Sequence, residues 1–200
     1  MKLSLTFWYE LASTYSWLAA ERIEALAADA GVEVTWRPFL LGPIFAAQGW
    51  TTSPFNLYPA KGRNMWRDME RQCTRLGLPP IVPPDPFPQN SLLAARVATA
   101  LPPAARPRFS RAVYRAQFTQ GLPIADREVL AAILMEIGVP PEALLAAEAA
   151  ETKGALRQAT DRAQSLGIYG APSFTTRQGE LFWGNDRLEQ AITWAKEEPS

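Results

Sequence analysis

The chain of 200 residues contains no histidine and a single cysteine, Cys73. Without histidine there is no Ser/His/Asp triad, no Cys/His dyad and no histidine-ligated metal, and no other metal-ligand motif is read. One cysteine excludes an internal disulfide and a two-thiol redox cycle within the chain. Cys73 falls at helical spacing with Met65, Met69 and Leu76, as a small buried hydrophobe does. Any thiol chemistry must then use a ligand's sulfur. The chain also lacks a charge excess, since 20 basic and 20 acidic residues cancel with no long run of one sign. Neither nucleic acid nor an anionic membrane surface has electrostatic support as a partner, and a small molecule is expected instead. No stretch reaches the roughly 18 apolar residues that a spanning helix needs, and Met1 and Lys2 lead into a strand without an apolar leader. A cytoplasmic location is the expectation, consistent with the absence of paired cysteines.

What is present is a hydrophobic share of 48 %, enough for a globular chain with one ordinary core. Phe7 to Ala19, FWYELASTYSWLA, organises it. Strand formers Leu3, Leu5, Phe7 and Tyr9 stop at Glu10, and Leu18, Ala19, Ile23 and Leu26 then recur at helix spacing. A strand thus delivers Ser13, Thr14 and Ser16 to the start of a helix, where unpaired N–H groups and the macrodipole favour an anion. The spacing Ser-x-x-Ser stands where a thiol oxidoreductase carries Cys-x-x-Cys. Ser13 or Thr14 serving only as a helix cap is the alternative.

In chain order, a strand over 2–9, a helix over 14–30, Gly31 as its C-cap and a strand over 32–36 form a β-α-β unit with parallel strands. Ligands bind at the carboxyl ends of such strands, where Ser13 lies. Residues 37–59, rich in Gly, Pro and aromatics, read either as a wall of the site or as a surface connection with a short helix near 44–47. A helix follows over 60–76, then a segment with six prolines between Pro79 and Pro88, read as a rigid connector. Further helices are expected from Asn90 or Ser91 to Leu101, and over 108–120, 126–137 with Asp126 as cap, 141–151 and 152–166. Strand character returns in IYGAPSFTT and LFW as a hairpin, and Asn185 or Asp186 caps a last helix ending near Glu197. Pro172 opens its strand, where a cis peptide could turn the Ala171 backbone toward an extended ligand; a trans proline on an edge strand is the alternative. The order β-α-β, helices, α-β-β-α predicts an α/β fold, a thioredoxin-like core made of 1–40 and 160–200. An active-site loop and large all-helical insertion (41–159) interrupts it.

The segments FWYELASTYSWLAA, RPFLLGPIFAAQG, Ala60 and Lys61, FPQNSLLAARVA, GIYGAPSF and FWGNDRL together resemble the 2-hydroxychromene-2-carboxylate isomerases and the related kappa-class glutathione transferases. The resemblance spans nearly the whole chain. It implies a DsbA-type thioredoxin fold in which serine replaces the redox cysteines and glutathione is the cofactor. By position, it makes Ser13 the catalytic serine that holds the glutathione sulfur as thiolate. Ala171, beside Pro172, binds the cysteinyl part, Asn185 and Asp186 receive the γ-glutamyl end, and Lys61 meets the glycyl carboxylate or an acidic substrate. Arg63 and Arg67 are nearby alternatives for an anionic substrate. The resemblance also implies a homodimer.

Two departures from the family pattern bear on the second substrate. Thr14 stands where a proline commonly follows the serine, so Thr14 itself could cap the helix or meet sulfur. Trp50 stands where many relatives have an asparagine, leaving Asn56 as the candidate for that role and making the pocket more aromatic through Trp50, Phe55 and Trp66. The function these residues imply is glutathione-dependent isomerisation of a conjugated aromatic acid by reversible thiolate addition. Glutathione transfer to an electrophile and a non-catalytic peptide-binding module are the alternatives.

Overall fold

Strand β1 (Ser4–Tyr9) sends alternate side chains to opposite faces, and the fold grows from that alternation. The structure is a computed structural model in which residues 3–198 are described; Lys2, expected in the first strand, lies outside them. Leu5, Phe7 and Tyr9 enter the main core, whereas Trp8 enters a smaller one with Phe39, Ile44, Ala163 and Ile168. β1 pairs in parallel with β2 (Glu33–Pro38) and antiparallel with β3 (Ser173–Thr176), which pairs antiparallel with β4 (Leu181–Trp183). The sheet order β2-β1-β3-β4 puts β1 in the interior, and the expected hairpin forms its far edge. Phe7 packs on Phe174 at 5.5 Å and edge-on to Trp36 at 4.9 Å, so three strands lock through one ring.

The helices follow α1 (Thr14–Ala20), α2 (Ile23–Ala30), α3 (Leu41–Ala47), α4 (Pro54–Leu57), α5 (Pro59–Leu76), α6 (Leu92–Ala100), α7 (Arg106–Gln120), α8 (Arg127–Glu136), α9 (Ala143–Ala146), α10 (Ala150–Ser165) and α11 (Leu188–Glu197). Gly31 and Gly77 close α2 and α5 in the left-handed conformation, as C-cap glycines do. Cys73 is buried in α5, and Asp126 caps α8 through its side chain.

Several expectations are corrected. The helix expected over 14–30 breaks at Glu21 and Arg22, with no glycine or proline to mark it. Tertiary contacts make the break: Arg115 pairs with Glu21 at 2.7 Å, while Arg22 donates to the Asn185 side chain at 2.8 Å and pairs with Glu189. The connector 37–59 carries two helices, α3 and α4, rather than one short helix. α7 starts at Arg106, because Pro107 is accommodated in its first turn. The helix expected over 141–151 shrinks to α9, since the chain turns at 147–149 so that Leu144, Ala147 and Leu156 all reach the core. Asn185–Arg187 form a 3-10 turn, and neither Asn185 nor Asp186 caps α11 with its side chain.

One face of α7 holds the end of β1. The Ser110 hydroxyl donates to the Tyr9 hydroxyl at 2.9 Å, the Tyr114 hydroxyl to the Glu10 carbonyl at 3.0 Å, and the Gln117 amide to the Leu11 carbonyl. Positions 110, 114 and 117 lie one helical turn apart, so a single face grips three consecutive residues. Backbone groups leaving a strand need partners when buried, and here the helical segment supplies them.

Two stability outcomes follow. Phe174→Ala, which removes a fully buried ring stacked on Phe7, is expected to lower unfolding free energy by about 3–5 kcal/mol, read from the denaturant midpoint. Tyr114→Phe removes one of two donors to the buried Glu10 carbonyl, which keeps the Ser13 N–H at 3.0 Å, and is expected to cost about 0.5–1.5 kcal/mol by the same measurement.

Candidate functional site

Beyond β1 the chain turns through Glu10–Ala12 into α1, and Ser13 caps that helix by accepting from the Ser16 N–H at 3.2 Å. The Ser13 hydroxyl donates across the site to the Ala171 carbonyl at 3.1 Å. The Ala171–Pro172 peptide is cis, and β3 begins at the next residue. The two segments singled out in the sequence, 158 positions apart, therefore meet in one hydrogen bond.

They meet at the wall of a cavity of about 850 Å³. Ser13, Thr14, Trp50, Phe55, Lys61 and Ala171 all line it. Its aromatic side is built by Phe45, Trp50, Phe55, Phe87 and Trp183, with the Trp50 ring 5.5 Å from Phe45. Gly62 lets α4 lie against α5, because a Cβ there would stand 2.4 Å from the Phe55 carbonyl oxygen. Gly170 is required in the same way, since a Cβ would stand 2.3 Å from the Trp183 indole nitrogen.

Other candidates lie outside that lining. Asn56 is tied behind the wall, donating to the Phe87 carbonyl at 2.8 Å and to Thr52 at 3.2 Å. Trp66 packs edge-on behind Phe87 at 4.7 Å, and Arg63 and Arg67 face solvent, Arg67 paired with Glu70. Pro172 is buried, and its carbonyl accepts from Gly184 at 3.0 Å. Asn185 is buried and bound to Arg22, whereas Asp186 is exposed and pairs with Arg187 at 3.0 Å. Both stand beside α1, close enough for Asp186 to act on the Tyr15 hydroxyl.

The three polar residues of Ser-x-x-Ser-type spacing are not equivalent. Thr14 is almost fully buried and donates to the Met65 sulfur at 3.4 Å. Ser16 is fully buried, so Ser13 alone of the three is partly open to solvent. α1 is only seven residues long, which leaves the Ser13 hydroxyl, and not a long helix dipole, as the polar feature at this point.

Sequence reasoning passed over Glu10. It is 7 % exposed, lines the cavity, and accepts from the Ala12 N–H at 2.8 Å and from the Ser91 hydroxyl. Burial pushes its carboxyl up to about 7, against the opposing pull of the Ser91 and Ala12 hydrogen bonds. The signal was a carboxylate ending the apolar run of β1, at the strand end where such sheets bind ligands. Tyr15, also in the lining, donates to Asp68 at 3.0 Å, and burial together with Asp68 pushes its hydroxyl up. Among the described residues no cluster of acidic, histidine or cysteine side chains could hold a metal, and no helix is long and apolar enough to cross a membrane.

Comparison with known proteins agrees with this fold. The chain is 26 % identical over 191 residues to 2-hydroxychromene-2-carboxylate isomerase of Sphingobium xenophagum, covering 94 % of this chain and 96 % of that protein. It is 23 % identical over 208 residues to glutathione S-transferase kappa 2 of Caenorhabditis elegans, covering 96 % and 91 %. The solved structure of a 2-hydroxychromene-2-carboxylate isomerase superposes with a TM-score of 0.85 at 21 % identity, over 96 % of this chain and 93 % of that one. The cytosolic disulfide reductase DsbM of Pseudomonas aeruginosa, solved with GSH, superposes with a TM-score of 0.65 at 16 % identity, over 96 % and 95 %. The family model described as the DSBA-like thioredoxin domain matches residues 4–192, and the chain therefore belongs to the DSBA-like thioredoxin family.

Proposed function

We propose that the cavity binds glutathione through Ser13 and Ala171 and that the protein isomerises a conjugated aromatic acid. The observation that carries this reading is the Ser13–Ala171 hydrogen bond at the wall of a cavity with one aromatic side, in a chain whose only thiol is buried in α5. Relatives that include an isomerase and a glutathione transferase support an enzyme, and the DsbM structure with GSH supports the ligand.

The donor set fits a tripeptide that carries a thiol and charged ends. Ser13 offers a hydroxyl hydrogen that now rests on the Ala171 carbonyl and that swings onto a sulfur anion when one is present. The swing frees the Ala171 carbonyl for the backbone of the cysteinyl residue, in the manner of an added strand. Lys61, the one cationic side chain in the lining among the described residues, suits a carboxylate, either the glycyl end or an acidic substrate. Asp186, exposed beside α1, suits the γ-glutamyl ammonium, and Asn185 fixes the turn that presents it. When bound, glutathione supplies a thiolate that adds reversibly to a conjugated double bond, so that the bond rotates before the thiolate leaves.

The chain's own contribution is to orient the sulfur, keep it ionised and exclude water. Trp50, Phe55 and the other rings of the wall offer flat apolar surface to a planar substrate. A transferase uses the same thiolate half-site and differs in releasing the adduct.

Ser13→Ala is expected to lower glutathione-dependent turnover of conjugated aromatic acids by about 10²–10³-fold, the scale for losing one hydrogen bond to a developing or held anion. Product with unchanged mass and altered absorbance identifies an isomerase; product heavier by one glutathione identifies a transferase. Full activity in Ser13→Ala, or turnover without glutathione, contradicts the reading.

A further inference from the structure

We propose that Glu10 is the proton acceptor of this site: on the glutathione reading given above, its carboxylate takes the proton from the ligand's thiol, so that the complex carries one negative charge, on sulfur, beside Ser13. Among the described residues, Glu10 and Lys61 are the only charged side chains lining the cavity, and Glu10 is the only acid. No lysine or arginine pairs with Glu10 among the described residues. The groups that hydrogen-bond Glu10, namely the Ala12 and Ser13 N–H groups and the Ser91 and Tyr114 hydroxyls, carry no charge. The cavity also presents Gln89 and Asn90 from the turn before α6, Met65 and the cationic Lys61 from α5, and Tyr15 from α1. A carboxylate in such surroundings is costly to ionise and gains by becoming neutral.

Proton balance makes the carboxyl useful. Two anions, Glu10 carboxylate and thiolate, would repel each other in a partly desolvated cavity. Moving the proton avoids this: the S–H bond breaks, an O–H bond forms on a Glu10 carboxyl oxygen, and the total charge is unchanged. Each carboxyl oxygen accepts one hydrogen bond, from Ser91 or from Ala12, and so keeps a lone pair for the proton. When sulfur leaves as thiol, the same O–H returns the proton.

The sign of the pH dependence follows from the free groups. Glu10 titrates near about 7 in the free site, and a free thiol near roughly 8.5. Between these values the free carboxylate and the free thiol hold one proton together, as does the complex, so binding releases none. Below about 7 both partners are protonated and binding must release a proton, which weakens affinity about tenfold per pH unit. Above roughly 8.5 both are ionised, binding takes up a proton, and affinity falls again. Without Glu10 the high-pH fall is absent.

The test is calorimetric titration of the intact protein with reduced glutathione in buffers of different ionisation enthalpy, across pH, with the thiolate absorbance band followed in parallel. The wild type is expected to show the thiolate band with almost no net proton release at about pH 7.8, and an affinity maximum on the plateau between the two limbs. Glu10→Gln is expected to release about one proton at that pH and to lose the high-pH limb. Ser91→Ala keeps the carboxyl but removes a hydrogen bond that favours its ionised form, so its low-pH limb moves upward. If Glu10→Gln does not fold, an unmoved limb in Ser91→Ala overturns the proposal. Thiolate binding with equal proton release in wild type and Glu10→Gln overturns the role of Glu10 and leaves the glutathione reading standing. A wild type that binds no glutathione at any pH overturns both.

Discussion

The grip of α7 on residues 9–11 is the constraint on which the rest of the site depends. Ser110, Tyr114 and Gln117 satisfy the Tyr9 hydroxyl and the Glu10 and Leu11 carbonyls just where the backbone leaves the sheet. Buried backbone groups without partners are expensive, and α7 adds these partners to the Ser13 N–H that the turn itself gives the Glu10 carbonyl. With the corner fixed, Ser13 is delivered to the start of α1 and reaches Ala171, just before the neighbouring strand β3. The helical segment is thus part of the site's scaffold as well as its cover, and the main core runs without interruption from Leu5 and Phe7 to Phe109, Tyr114 and Phe118.

The same burial explains the site's electrostatics. Glu10 is held in place by its backbone and cannot escape to solvent, so the low-polarity surroundings act on its charge. The same cavity presents the Ser13 hydroxyl, the Lys61 ammonium and a set of rings. Such a site is suited to a ligand that brings its own reactive atom, which agrees with a chain that has no histidine and a buried cysteine.

Much of this was legible in the residues. The alternation of Leu5, Phe7 and Tyr9, the glycine caps at Gly31 and Gly77, Asp126 and the hairpin are local signals, and each appears where local chemistry places it. Ser13 and the Ala171–Pro172 peptide were also visible, since a strand end and a proline at a strand start are positional clues. The breaks were not. The turn at Glu21 and Arg22 is imposed by Arg115, Asn185 and Glu189, residues remote in sequence, and the alanine-rich 141–151 stretch bends for burial rather than for propensity. Asn56 and Trp66 share helical or loop segments with true wall residues but point behind the wall, which spacing alone does not resolve. Glu10 looked like the polar end of a strand because its burial comes from α6 and α7.

The most direct measurement is a calorimetric comparison at neutral pH of reduced glutathione with the same tripeptide in which a methyl group replaces the thiol. Saturable one-site binding of glutathione, with the methyl analogue at least about tenfold weaker, is the expected result if, as proposed, Ser13 holds the sulfur anion. Equal affinity for the two peptides, or no binding of either up to millimolar concentration, contradicts a thiolate site at Ser13.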